Sequence, residues 1–340
     1  MRPLALVLAL VLGACQGPPP TKPDYGPVEV TSTRLPLNPK DAAQNTVGQL
    51  RFAGALHLTA PEPSHLHGLS GLDVGADGQS FIAVTDFGDV VRGRLVLDGA
   101  GALTGVSGVT IVRLLDDKGK PFRGKRSGDA EGVSLMGPLR RIDGPFTVSF
   151  EQRHRVMAYA GPGAAGITLF RPTPKQRIRA NSGMEAVAAH CLDPIVGGAL
   201  WVGFEDGRIS NRTGRDPSDL GERLSPAPKG YAVADMTNRD CEGLFVLYRA
   251  YDPARAFRNV ITTTDARGGV VELARIEGRL TRANLEGIAA VRRGEDWRFY
   301  LVSDDGFDLS GPRTVLMAFD WTPNEKGPAR PPALIEENPS

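Results

Sequence analysis

Acidic residues recur along this 340-residue chain in a pattern that suits chemistry. Four stretches place a glutamate before a small residue and an apolar run: Asp129-Ala-Glu131-Gly-Val, Gly183-Met-Glu185-Ala-Val, Asp240-Cys-Glu242-Gly-Leu and Asn284-Leu-Glu286-Gly-Ile. A fifth, Gly68-Leu-Ser70-Gly-Leu, has serine at the acidic position. Starting from Ser70, these stretches are spaced 61, 54, 57 and 44 residues apart. A second set of acids ends strand-like runs at Asp86, Glu151, Glu205 and Asp304; the Glu242 stretch lacks such a partner except Asp265. Asp86, Glu131, Glu151, Glu185, Glu242, Glu286 and Asp304 form the pool of candidate metal ligands. Crowded carboxylates raise one another's pKa unless a cation neutralises them. Oxygen donors without Cys or His suit a hard cation, most simply Ca²⁺. Structural salt bridges to the chain's many arginines are the alternative.

Elements that repeat must position these groups. In an antiparallel hairpin the start of one strand and the end of the next lie at the same edge. Each repeat therefore offers two polar groups at one end, and a radial arrangement gathers all such ends on one face. Forty-one glycines and 27 prolines make a fifth of the chain, a turn content that suits many short strands and excludes a helical bundle. The expectation is an all-β protein, a β-propeller of six blades of four-stranded antiparallel sheet, from about 270 residues at about 45 per blade. Residues 41–58 are placed to lend a strand to the last blade and seal the ring. A net charge of +1 argues against a generic nucleic-acid binder.

Metal-assisted ester hydrolysis also needs a cationic clamp and a base for the attacking water. Arg153, His154, Arg155 and Arg249 follow strand ends and are candidates for the clamp, with His154 and Arg155 nearest the catalytic role. Glu131 or Glu185 could take the water's proton. A solvated loop or structural ion pairs are the plainer readings of these cations. Gly-x-Ser-x-Gly is absent, as are Cys-x-x-Cys and His-Glu-x-x-His, so serine-hydrolase and zinc signatures are lacking.

The first 14 residues, with Arg2 and the apolar run Leu4–Leu12, read as a secretory signal. Leu12-Gly13-Ala14-Cys15 resembles the lipobox of bacterial lipoproteins, which implies cleavage before Cys15 and its lipidation. Gln16 after the cysteine then implies the outer membrane, on its periplasmic side. Residues 15–40 read as a Pro-rich tether, 41–322 as the propeller domain and 323–340 as a flexible tail. Cys191 and Cys241 remain, either as a disulfide in an oxidising compartment or as two free thiols.

The body resembles the phytase-like domain family, described as esterase-like activity of phytase. The resemblance rests on Gly68-Leu-Ser-Gly-Leu with Thr85-Asp86, Asp129-Ala-Glu131-Gly, Phe150-Glu151 with His154-Arg155, Asn181 with Glu185-Ala, Asn284-Leu-Glu286-Gly and Ser303-Asp304-Asp305-Gly306. It implies a propeller and hydrolysis of an ester or phosphate ester. The resulting expectation is a monomeric, lipid-anchored, calcium-dependent hydrolase of a small-molecule ester or phosphate ester. The alternatives are a non-catalytic propeller that binds a ligand or partner, and a calcium-dependent lactonase.

Overall fold

Runs such as Phe81–Thr85, Phe146–Phe150 and Arg155–Tyr159 are buried along their whole length, the pattern of strands covered on both faces. The computed structural model describes residues 26–62, 64–172, 178, 183–189, 200–212, 227–239, 243–264, 269–278, 280, 283–305 and 314–323. Cys15, Cys191, Cys241, Glu242, the signal segment and nearly all of the tail lie outside the described residues.

The N-terminal strands are β1 (Gly26–Val28), β2 (Thr31–Leu35), β3 (Thr46–Val47) and β4 (Leu50–Thr59). Blade one follows as β5 (Leu69–Val74), β6 (Ser80–Thr85), β7 (Asp89–Leu97) and β8 (Leu103–Arg113). A short helix, α1 (Lys125–Gly128), leads into blade two: β9 (Ala130–Leu135), β10 (Phe146–Phe150), β11 (Arg155–Tyr159) and β12 (Ile167–Phe170). Blade three contains β13 (Met184–Ala189), β14 (Leu200–Phe204) and β15 (Ile209–Arg212). Blade four is β16 (Ala232–Arg239), β17 (Gly243–Asp252), β18 (Ala256–Thr264) and β19 (Val270–Ile276). Blade five is β20 (Asn284–Arg293), β21 (Asp296–Asp304) and β22 (Thr314–Trp321), completed by β4.

The propeller thus has five blades, not the expected six. The innermost strands of successive blades start 61, 54, 48 and 52 residues apart, longer than the roughly 45 residues assumed per blade. Ring closure uses β4, which pairs antiparallel with β22 from Thr314↔Leu58 to Asp320↔Arg51. Part of the segment read as a tether is also built in: β2 pairs with β4, and β1 with β8. Apolar clusters fill the spaces between successive blades. Between blades four and five, Phe245 meets Trp297, Phe299 and Trp321 edge-on at 4.9, 4.7 and 5.8 Å, geometry that aromatic quadrupoles favour.

The innermost strands β5, β9, β13, β16 and β20 contact one another in a closed ring. Small residues make this approach feasible. A Cβ at Gly71 would sit 2.7 Å from Gly132 Cα, one at Gly132 would sit 2.8 Å from Val187 N, and one at Gly287 would sit 2.9 Å from Ser70 O. In β16 the corresponding residue is Asp235. Its buried carboxylate accepts the N–H groups of Ile288 (2.8 Å), Met236 (2.8 Å) and Leu72 (3.4 Å), tying blade four to blades five and one. Burial raises the Asp235 pKa well above the carboxylate range, even against those three donors.

Candidate metal centre

Each innermost strand begins with a register break that aims one side chain out of the sheet. In β9, Ala130 pairs with Phe150 and Gly132 with Ser149, leaving Glu131 as the extra residue. Glu185 is bypassed in the same way between Met184 and Ala186, and Glu286 between Leu285 and Gly287. In β5 the shift spans Ser70, and in β16 it falls at Ala234. Such bulges redirect a side chain that regular pleating would bury. The glutamate of the repeat is therefore the bulged residue, and the glycine after it is the close-packing residue of the ring.

The adjoining strand supplies the second group. Asp86, Glu151 and Glu205 follow the last residues of β6, β10 and β14, and Asp304 ends β21. Their approach is fixed by the backbone: Asp86 N–H donates to Gly68 O (3.0 Å), Glu151 N–H to Asp129 O (2.8 Å) and Glu205 N–H to Gly183 O (3.2 Å). Gly68 has φ 61°, and a Cβ there would overlap the Asp86 carboxylate, so this turn requires glycine. In blade four the equivalent position is Arg249, which pairs with Ala232.

The ring of bulged residues thus reads Ser70, Glu131, Glu185, Ala234, Glu286, and the ring of strand ends reads Asp86, Glu151, Glu205, Arg249, Asp304. All of them except Ala234 line one cavity of about 300 Å³, joined by Lys125 and Gln152. Gln152 has φ 48°, rare for a residue with a side chain. The Asp240–Leu244 stretch is out of phase with the other repeats, because Gly243 opens β17, a second strand. That is why its acid pattern lapsed.

Two overlapping carboxylate groups stand at the centre. Asp129, Glu131 and Glu151 offer oxygens within 4.8 Å of one another, and so do Glu151, Glu185 and Glu205. These separations fit oxygens arranged about one cation at roughly 2.3–2.6 Å each. Burial, and then the charge of Glu185, pushes Glu131 well above the usual carboxylate range. Burial and Glu151 raise Glu185 to about 8, and burial and Asp129 raise Glu151 to about 7. Asp86 rises to about 6 through burial, despite Lys125 Nζ at 2.8 Å. Among the described residues Asp86 Oδ1 and Asp129 Oδ2 are buried with no hydrogen-bond donor, and Asp129 Oδ1 has Lys125 Nζ at 3.5 Å. Unsatisfied buried carboxylate oxygens are costly, and a cation would satisfy them.

The other side of the cavity is neutralised by the protein itself. Arg249 pairs with Glu286 and donates to Asn284 Oδ1 (3.0 Å), while Asn284 Nδ2 donates to Glu286 (2.7 Å) and Asp304 (3.3 Å). Lys125 bridges Asp86 and Asp129 at 2.8 and 3.5 Å.

Of the sequence candidates, Asp86, Glu131, Glu151, Glu185, Glu286, Asp304 and Arg249 share this cavity. Arg153 and Arg155 do not line it; both belong to a separate cavity on blade two. Arg155 donates to Arg153 O and Ser127 O and does not reach the acidic cavity, where the sequence predicts it as clamp and catalytic group. His154 packs beside Gly183 and Glu151 without lining the cavity. Glu205, Asp129, Lys125, Gln152 and Asn284 are not among the sequence candidates for the site. Glu205 carried a readable signal, the same strand-ending acid as its three counterparts.

A family model described as phytase-like, esterase-like activity of phytase, matches residues 64–307. No curated protein matches the chain. Among solved structures, a gluconolactonase from Xanthomonas campestris aligns at 10% identity over 87% of this chain and 95% of its own, with TM-score 0.43. The PQQ-bound aldose sugar dehydrogenase from Streptomyces coelicolor aligns at 13% identity over 82% of this chain and 98% of its own, with TM-score 0.41.

Proposed function

The chain belongs to the phytase-like family, esterase-like activity of phytase, and we propose that it is a calcium-dependent hydrolase of phosphate esters or related esters. The observation that carries this reading is the pair of three-carboxylate groups sharing Glu151, with an unsatisfied oxygen on Asp129 among them. Asp129, Glu131, Glu151, Glu185 and Glu205 are the residues that would hold calcium. When bound, the ion supplies Lewis acidity toward a phosphoryl or carbonyl oxygen and lowers the pKa of a coordinated water.

The chain's own residues do the rest. Whichever of Glu131 and Glu185 is not spent on the ion accepts, in its ionised form, the proton of the attacking water, since burial has raised the proton affinity of both. Among the described residues Lys125 and Arg249 are the cations lining this cavity, and they take the clamp role in it. Each already touches a carboxylate, so an anionic substrate oxygen shares rather than replaces its partner.

Phosphate monoesters including phytate, lactones and aryl esters, each assayed with calcium and with chelator, test the reading. Turnover of one class that chelator abolishes and calcium restores is expected. Turnover indifferent to chelator contradicts the metal role. The second reading, a ligand-binding propeller without catalysis, draws on blade four, where Ala234 and Arg249 interrupt both acidic rings. Silence on every substrate with calcium bound supports that reading.

A further inference from the structure

Two of the cations expected to clamp the substrate, Arg153 and Arg155, line instead a second cavity of about 420 Å³. The loop before α1 contributes Lys118, Lys120 and Arg123; the β10–β11 turn brings Arg153 and β11 brings Arg155; Arg171 enters after β12. Opposing them are Asp116 and Asp117. Asp116 is engaged, accepting the backbone N–H groups of Lys118 (2.9 Å) and Lys120 (2.8 Å). Among the described residues, none of the six cations forms an ion pair with a carboxylate.

Arg155 marks this as a built site. It is only 4% exposed. Phe150 lies under its guanidinium at 3.9 Å and Phe122 at 4.9 Å, fixing the plane of the group. Its hydrogen bonds go to neutral acceptors: Ser127 O (2.6 Å), Arg153 O (2.8 Å) and the Met157 sulfur (3.3 Å). A guanidinium carries five N–H donors, so it is not saturated by these three. Burial lowers its pKa to about 10. A buried guanidinium held flat without a counter-charge is costly by itself and well suited to receive an oxyanion.

We propose that this cavity is an anion-binding site, separate from the acidic cavity, that takes a phosphate or similar oxyanion through Arg155, Arg153, Arg123 and Lys120. The two sites share their dividing wall. In the turn after β10, Glu151 and Gln152 face the acidic cavity and Arg153 the basic one; around α1, Lys125 faces the first and Arg123 and Ser127 the second. The oxyanion is either free phosphate or a phosphate carried by the molecule whose ester lies in the acidic cavity.

Calorimetric titration of the metal-free full chain with inorganic phosphate at low salt tests the site. Saturable one-to-one binding is expected, weakened by at least about tenfold in Arg123→Ala/Arg153→Ala and unchanged in Glu131→Gln. Arg155→Met should abolish it; if that variant fails to fold, the double variant decides alone. No saturation by about 10 mM phosphate, equal affinity in the double variant, or loss of binding in Glu131→Gln would each overturn the proposal. Because no calcium is present, failure of the hydrolase reading leaves this result intact. Phosphomonoester kinetics then separate the two sources: a KM raised in Arg123→Ala/Arg153→Ala with kcat retained places the anion on the substrate, and an unchanged KM makes it free phosphate.

Discussion

Calcium entering the acidic cavity has to displace protons, and the number is legible from the site. Burial and Glu151 raise Glu185 to about 8, while burial and Asp129 raise Glu151 to about 7. At pH 7 a group with a pKa of 8 is about nine-tenths protonated, and one with a pKa of 7 about half. Metal-free protein therefore carries about 1.4 protons on this pair, which titrates as a unit. A ligating carboxylate must be ionised, so binding at pH 7 releases at least about one proton, more where Glu131 also ligates, and apparent affinity climbs at least about 10-fold per pH unit near neutrality. Calorimetric titration at pH 7 in two buffers of different ionisation heat measures the count directly. Release from this pair should fall as pH rises past about 8, and Glu185→Gln should remove close to one proton of it. Calcium binding without proton release at pH 7 would refute the assignment of Glu151 and Glu185 as ligands.

The same shifts govern stability. A carboxyl whose folded pKa lies above its unfolded value binds more protons when folded, so stability falls as pH rises from the unfolded value, 4.5, through about 8. Metal-free protein should melt lower at pH 8 than at pH 5, and calcium should cancel the difference; a melting temperature that rises with pH over that range contradicts the shifts. Asp235→Ala strands the N–H groups of Leu72, Ile288 and Met236 at the axis, and should cost about 3 kcal/mol in denaturant unfolding; a loss below about 1 kcal/mol would show the carboxylate to be dispensable. Gly132→Ala drives a methyl to 2.8 Å from Val187 N and should cost about 2 kcal/mol, read by the same assay; an unchanged midpoint would mean the ring has slack.

Much of this arrangement was visible in the chain because chemistry and packing meet at one repeated pair. The glutamate is bulged toward the cavity and the next residue must be small enough for neighbouring strands, so Glu131-Gly132, Glu185-Ala186 and Glu286-Gly287 stand out together. Blade four hid itself for the same reason. Its pair is Ala234-Asp235, in which the acid serves the axis rather than the cavity, and Asp240-Cys-Glu242-Gly-Leu imitates the motif one strand later. Dividing length by an average blade overcounts the blades, because successive innermost strands here start 48 to 61 residues apart. Arg155 could not be placed from sequence because the four-residue turn after β10 serves two cavities. Which wall a turn residue faces depends on packing against Phe122 and Phe150, and Phe122 is distant in sequence from that turn.

The central claim is that Asp129, Glu131, Glu151, Glu185 and Glu205 are gathered for a divalent cation. Anomalous scattering from crystals grown with calcium tests it most directly. The account predicts a calcium peak within coordination distance of Glu151, flanked by Asp129 and Glu131 or by Glu185 and Glu205. A cavity free of anomalous density at saturating calcium, with Glu131, Glu151 and Glu185 sharing protons among themselves, would contradict it.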